Sequence, residues 1–481
     1  MTDDQRRARL EKLEKLRALG VTPYADRFDC THVLAEAAQL PDGSPVRVAG
    51  RLLTLRSFGK LAFAHLMDRS GRAQVSFERG TLPAADEAVV RLLDLGDFVG
   101  IEGELWTTRM GERTIRTRRL AFLAKSLRPL PEKWHGLKDQ ELRYRRRYLD
   151  LIANAETRAR FRLRSRVIAL VRAFLDARGF LEVETPILQP AASGAAARPF
   201  VTRHEALDRP LYLRISPETY LKRLVVGGLE RVYEIGKNFR NEGMDPSHLQ
   251  EFTMLEWYAA YWSYRENMTL VRELIQHVAR EVTGGTQIAC AGGTIDLGGE
   301  WPEVAFVDAV RERTGIDLAA LDTWEKLAPA ARAHGLDPAE LPSYPALVDG
   351  LYKRAVRPHL VGPVFLTHHP AELVPLARRS DANPRVLDMF QVVVNSWEIV
   401  KAYSELIDPL EQRARMLEQQ AYRARGDRET MMMEDDYIEC MEYGMPPNSG
   451  LGLGIDRLVA LLAGVESLRD VVLFPAMRDE G

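Results

Sequence analysis

Between Arg231 and Tyr258 the chain alternates apolar and polar positions in two runs. Val232, Tyr233 and Ile235 open one strand, while Phe252, Met254 and Leu255 alternate with Thr253 and Glu256 in a second, a period near two. The loop between them, Asn241 to Gln250, is rich in Gly, Asp, Pro, Ser and His, which are turn formers. At its base stand Arg240, Glu242 and Phe252. A guanidinium fork suits a phosphate and a ring face suits a base, so the pattern fits a nucleotide site. The same residues also fit a charged hairpin tip on a core sheet.

The remaining pattern divides the chain. Residues 4–19 carry Leu10, Leu13 and Leu16 on one helical stripe that stops at Gly20. Residues 45–125 read as about five short strands, interrupted by a helical piece from Leu82 to Leu95. That order is expected of an OB-fold, a small barrel for single-stranded nucleic acid or oligosaccharide. Phe63 and Gln74 fall on its middle strands and Glu112 on its last turn, where a ring, an amide and an acid could read splayed bases; on pattern alone Phe63 fits the core better. Pro129, Pro131 and the cluster Arg143, Arg145, Arg146 and Arg147 mark a linker over 127–150.

An amphipathic helix from Glu156 to Arg178 leads into the strand FLEVETP, a dimer contact or plain scaffold. Leu211 to Gly228 is a strand, a cap and a helix, with Ser216 the capping candidate, Pro217 the first helical position and Glu218 in the first turn. Helical pieces predict an insertion at about 300–365. Beyond the strand QVVV, Glu398 and Glu405 lie seven residues apart; converging on paired strands or across a turn, they could hold Mg²⁺ near triphosphate oxygens. In GLGLGIDR, Leu451, Leu453 and Ile455 alternate with Gly452, Gly454 and Asp456, leaving one strand face bare for a flat ligand or for close helix packing; Arg457 opens the next helix.

Composition narrows the class. The chain has 481 residues, 46% hydrophobic and 28% charged, which describes a globular protein of more than one domain. A net charge of −2 argues against wrapping nucleic acid over the whole surface. Cys30, Cys290 and Cys440 form no metal pattern and an odd count for disulfides. The charged N-terminus is unlike a signal peptide and no apolar run is long enough to span a membrane, so a cytoplasmic location is expected.

Taken together, the motifs resemble the class II lysyl-tRNA synthetases over nearly the whole length. FLEVETP is similar to motif 1, FRNEG with FTMLEWY to motif 2, and GLGLGIDR to motif 3. LRPLPEKWHGL, RYLDLI, GAAARPF, LYLRISPETYLKRLVVGG, EYGMPP and RDVVLFP resemble lysine-specific wording. The resemblance implies an α+β protein: a helix and anticodon-binding OB-fold over 1–126, then a catalytic antiparallel sheet flanked by helices over 151–481. It implies activation of L-lysine with ATP and Mg²⁺, transfer to tRNA(Lys), and a homodimer. By resemblance, Arg240 meets the α-phosphate, Glu242 the adenine, Phe252 and Arg457 its two faces, and His248 the outer phosphates. Glu398 and Glu405 match metal carboxylates, Glu218 the acid for the α-ammonium, and Glu256 and Tyr258 the partners of the side-chain ammonium. Phe63, Gln74 and Glu112 match readers of the anticodon. A neutral substrate analogue would leave Glu256 unpaired, which predicts rejection by roughly 10⁴–10⁵-fold.

Four places depart from the family wording: Lys401-Ala402 for Asn-Gly, Ile407 for Asn, Leu249-Gln250 for Asn-Pro, and Asn448-Ser449-Gly450 for Thr-Gly-Gly. The loss at Ile407 is expected to remove a polar contact near the substrate carboxylate, and Lys401 to bring a charge close by. Rival readings are a paralogue that ligates lysine or a related cationic amino acid to a protein, and a non-catalytic RNA-binding regulator on the same fold.

Overall fold

A computed structural model describes residues 3–130, 137–195, 197–290, 292–424 and 430–479. The chain divides into two units, Met1–Lys138 and Asp139–Gly481. The division falls inside the expected linker, of which Pro131 to Gly136 lie outside the described residues. The second unit starts earlier than expected, because helices Gln140–Arg145 and Arg147–Ala153 belong to it. The basic cluster there holds structure together. Arg143 and Arg147 bind the buried Asp150 at 3.0 and 2.6 Å, and Arg147 also donates to the carbonyls of Leu473 and Arg469.

In the first unit the period-two runs form β1 (Pro45–Phe58), β2 (Leu61–Met67), β3 (Arg72–Glu78), β4 (Phe98–Thr107) and β5 (Arg113–Ala124). They close into a barrel in the order β1-β2-β3-β5-β4. The alternate residues Val48, Ala64, Leu66, Val75, Val99, Ile101 and Ile115 point inward and pack the core. The helix between β3 and β4 is shorter than its apolar pattern, Ala84–Val90. The first helix, Asp3–Ala18, buries Leu13 and Leu16 as its stripe predicts.

The second unit carries β6 (Leu181–Glu182), β7 (Leu188–Gln189), β8 (Val201–His204), β9 (Arg209–Leu213), β10 (Arg231–Phe239), β11 (Glu251–Ala260), β12 (Gln287–Cys290), β13 (Gly293–Asp296), β14 (Glu303–Ala305), β15 (Val364–Thr367), β16 (Met389–Val394), β17 (Trp397–Ser404) and β18 (Asn448–Gly454). Eight of them form one sheet in the order β14-β15-β16-β17-β18-β11-β10-β6, antiparallel except at its two ends. Helices Ala155–Asp176, Tyr264–Thr283 and Ile455–Leu462 pack their apolar stripes on one face, giving the main core around Trp257, Leu453 and Val459. On the other face helix Glu218–Val226 covers part of β10 and β11 through Leu221 and Val225 against Val232 and Tyr258, and a cavity remains beside it. The insertion between β14 and β15 has three helices, Phe306–Thr314, Trp324–Ala333 and Tyr344–Leu351, around a core of their own.

Candidate functional site

Open sheets bind ligands where bare backbone or small residues leave room above the strands, and β18 leaves that room. Its glycines face β11 and β17 in register: Glu256 opposite Gly452 opposite Lys401, and Tyr258 opposite Gly450 opposite Tyr403. A Cβ on Gly450 would overlap the Tyr258 ring and come within 2.6 Å of Glu405 Oε1. A Cβ on Gly452 would stand 2.6 Å from the terminal methyl of Met254. The cavity above is about 260 Å³, and its walls include Glu218, Arg240, Glu256, Glu398, Lys401 and Arg457.

One end of the cavity collects groups suited to a nucleotide. Arg240 directly follows β10 with its guanidinium 5.0 Å from the centre of the Phe252 ring, and among the described residues its buried Nε has no partner. Glu242, His248 and Arg457 line the same cavity. His248 Nδ1 lies 2.8 Å from Asp245, which fixes the ring within the loop. The departures Leu249 and Gln250 have local work: Leu249 is buried in the main core, and Gln250 donates to the Gly243 carbonyl at 2.9 Å, so the loop is anchored from both sides. Asp456 accepts from Arg164 at 2.5 Å and from the Thr253 N–H at 2.8 Å. That brace ties the start of the helix carrying Arg457 to β11.

The other end collects buried carboxylates and phenols. Glu256 is buried and accepts the Ser216 hydroxyl at 2.8 and 3.0 Å. Burial, with Glu218 nearby, raises its pKa to about 8, against the pull of Ser216, Arg240 and Arg214. Ser216 is not the cap expected of it. Helix Glu218–Val226 starts one residue later with Pro217 at the N-cap position making no side-chain bond, and Ser216 Oγ accepts the Glu218 N–H at 3.1 Å while donating to Glu256. Glu218 accepts from Tyr403 and from Lys222, each at 2.6 Å. Burial and the surrounding carboxylates hold the Tyr258 and Tyr403 phenols well above their usual range, so both stay protonated donors.

Glu398 and Glu405 are not brought together. Glu398 is the second residue of β17 and Glu405 lies just past its end, roughly 20 Å away at about 3.3 Å per residue once the bulged residue is discounted. Glu405 is fully buried and ion-paired to Lys222. Burial alone would lower the Lys222 ammonium, but Glu218 and Glu405 outweigh it and hold it far above its ordinary value. The expectation of a shared Mg²⁺ at Glu398 and Glu405 is therefore corrected: the two carboxylates lie too far apart along the strand to hold one ion. The partner of Glu398 is Gln391, whose Nε2 donates to it at 2.7 Å across β16 and β17. A bulge makes this possible. Val393 pairs with Glu398 while Val392 pairs with Val400, so Ile399 is an extra residue that turns Glu398 to the same face as Lys401. Among the described residues Gln391 Oε1 and both ring nitrogens of His369 are buried outside hydrogen-bond geometry, with the amide close enough to the ring to act on its charge. Burial keeps that ring neutral, with its pKa pushed down to about 3 despite the neighbouring amide.

Sequence reasoning missed Gln391, Ser216 and Lys222. Only Ser216 had a signal, its place before Pro-Glu. Ile407 packs on an apolar cluster that includes Tyr403 and Tyr437 and is not part of the cavity wall.

On the barrel, the three expected base readers share an outward face. Phe63 and His65 alternate with the inward Ala64 and Leu66. Gln74 pairs with His65 across the ladder and accepts from Thr114 at 2.6 Å, and His65 Nε2 lies 3.4 Å from Glu112. His65 joins the set as a residue the sequence reading did not name.

Among the described residues no three His, Cys, Asp or Glu are grouped to hold a metal, and no helix is long and apolar enough to cross a membrane. The family model for class II tRNA synthetases (D, K and N) matches residues 139–478, and that for the OB-fold nucleic acid binding domain matches 46–124. The chain is similar to the lysine--tRNA ligase of Carboxydothermus hydrogenoformans, 47% identical over 98% of this chain and 97% of that one. It is 46% identical to the lysine--tRNA ligase of Pelotomaculum thermopropionicum over 98% and 94% of the two chains. It is likewise 46% identical to that of Moorella thermoacetica, over 99% and 98%.

Proposed function

The chain belongs to the lysine--tRNA ligases among the class II tRNA synthetases, and from that premise we propose how its own residues join L-lysine to tRNA(Lys) with ATP. A lysine carboxylate oxygen attacks the α-phosphorus, the bond to the β-phosphate oxygen breaks, and pyrophosphate leaves. A hydroxyl of the tRNA 3′-terminal ribose then attacks the lysyl carbonyl, and AMP leaves. Neither step needs a protein nucleophile, so the protein's share is positioning and charge.

The observation that carries this reading is the single cavity that joins Arg240 and Arg457 at one end to Glu218, Glu256 and Tyr258 at the other. Arg240 donates to the α-phosphate as charge shifts to the leaving pyrophosphate, its buried, unpartnered Nε being the natural donor. Phe252 and Arg457 enclose the adenine, Glu242 meets its edge and His248 the outer phosphates. Glu218 takes the α-ammonium. Glu256, once ionised, takes the side-chain ammonium with Tyr258 beside it, since a buried ammonium is tolerated only with a carboxylate partner.

Mg²⁺ fits the chain at Glu398 and Gln391. The Glu398 carboxylate lines the cavity, and the Gln391 amide beside it needs only to turn over to set its Oε1 next to that carboxylate, giving the one or two protein oxygens that Mg²⁺ takes before phosphate and water fill the rest. When bound, the ion neutralises triphosphate oxygens and orients them. The carboxylate and amide from this chain set where it sits.

Phe63, Gln74 and Glu112, with His65, read anticodon bases of tRNA(Lys). A homodimer through the segment around β6 and β7 is supported by the exposure of Leu181, Ile187 and Leu188, each 43% or more. Three free thiols accord with work in the cytoplasm. ATP–pyrophosphate exchange across the amino acids, followed by charging of tRNA(Lys), tests the reading. Exchange with lysine and charging are expected. Exchange without charging points to a paralogue that ligates lysine to another acceptor, and no exchange at all to a regulator.

A further inference from the structure

Hydrophobic side chains leave water unless something else covers them, and a large ring left bare asks for a partner. On the barrel that ring is Phe58, 64% exposed, at the end of β1 where the hairpin turns into β2. It stands edge-on to Phe63, with ring centres 6.4 Å apart and planes inclined by 62°. Register puts both on the outward face: Phe58 pairs with Leu61 and Arg56 with Phe63. Three cations surround the tip. Arg56 lies opposite Phe63, Lys60 sits in the turn, and the Arg79 N–H bonds the Lys60 carbonyl at 2.8 Å. Among the described residues these three make no side-chain ion pair or hydrogen bond, whereas Arg47, Arg113, Arg116, Arg118 and Arg119 elsewhere on the barrel all have carboxylate partners.

We propose that Phe58 is a second base-stacking platform. It takes the nucleotide next to the one on Phe63 in the single-stranded loop of the tRNA, while Arg56, Lys60 and Arg79 follow the phosphates. The occupant follows from the chemistry. A bare ring accepts the face of any base, and unpaired guanidinium and ammonium groups accept a polyanion. The inclination selects single strands. Bases lying flat on the two rings would be splayed from each other by about the angle between the rings, which a loop permits and a stacked duplex does not. This inference rests on the tRNA reading above and adds a contact to it.

The test uses the full-length enzyme and an RNA hairpin carrying the tRNA(Lys) anticodon loop, with 2-aminopurine at each loop position in turn. Wild-type enzyme should perturb the fluorescence at two adjacent positions. Phe58→Ala should abolish the change at one of them, weaken binding about tenfold and raise the KM for tRNA by a similar factor, with lysine-dependent pyrophosphate exchange unchanged. Phe58→Trp should restore binding, and Phe58→Leu, which keeps apolar bulk without a ring, should not. Wild-type affinity and fluorescence in Phe58→Ala would overturn the inference while Phe63→Ala still weakens binding. If wild-type enzyme neither binds the hairpin nor charges tRNA, the tRNA reading itself fails.

Discussion

In the proposed binding mode Glu256 acts as an anion, yet its raised pKa stores it as an acid in the free enzyme. With its pKa raised to about 8 by burial and by Glu218, it is mostly protonated at pH 7 in the free enzyme. Binding of a substrate ammonium must then expel that proton. Lysine should bind more tightly as pH rises toward 8, and its KM in pyrophosphate exchange should climb toward about tenfold per unit well below that value. Glu256→Gln should flatten the profile and cost roughly 3–5 kcal/mol of lysine binding, because the ammonium loses its buried counter-charge. Neutrality at pH 7 also tempers the rejection of a neutral analogue that the sequence implies, since a protonated Glu256 tolerates an apolar neighbour. Selectivity for lysine over norleucine should therefore grow between pH 6 and 9, and a constant ratio would contradict this account. Lys401 supplies the opposite charge. It lines the cavity on the same row as Glu256 and has no ion pair among the described residues, so the substrate carboxylate is its available partner. Lys401→Ala should raise the lysine KM roughly tenfold, as expected for a lost charge-assisted hydrogen bond, and an unchanged KM would remove Lys401 from the site.

At the level of elements, the site depends on how three strands register. The alternation in FTMLEWY and GLGLGIDR was legible because period two is a local property, and so was the bare face of β18. The proposed metal donors were not legible. The spacing of Glu398 and Glu405 says nothing about whether the strand between them runs straight, and it does, apart from one bulge that turns Glu398 to the site. Gln391 enters through cross-strand pairing, which no single run reveals. Replacing Gln391 with Ala should raise the Mg²⁺ concentration needed for half-maximal exchange several-fold and leave the lysine KM alone, whereas a lysine-side defect would argue that the amide serves the amino acid instead. The glycines make a second test. Gly450→Ala drives its methyl into a buried tyrosine ring and a buried carboxylate, neither of which can retreat. Gly452→Ala meets only the flexible end of Met254. Gly450→Ala should lose most exchange activity and about 1–3 kcal/mol of stability, and Gly452→Ala clearly less of both, measured by denaturant melts beside exchange assays.

On the scale of the whole molecule, the chain divides into two units, and the proposed function assigns activation to Asp139–Gly481 and base reading to Met1–Lys138. The boundary region was legible from prolines and charge. The role of its arginines was not, because Arg143 and Arg147 are committed to Asp150 and to backbone carbonyls far along the chain, partners that local composition does not name. The proposed homodimer rests on what the second unit leaves bare. Its large sheet stops at β6, a strand of two residues whose Leu181 is 51% exposed, and β7 nearby exposes Leu188 at 48%. An edge so short and so apolar is poorly defended against water, and a twofold partner would present the same residues to it in return. Sedimentation should therefore give twice the mass of one chain at micromolar concentration. Leu181→Asp with Leu188→Asp should shift it toward one mass, because carboxylates at the centre of an isologous contact face each other unpaired. Since these side chains are exposed in the single chain, the variant should melt as one folded protein, so a monomer that keeps its far-ultraviolet spectrum would identify this edge as the contact. A variant that remains fully dimeric would move the contact elsewhere.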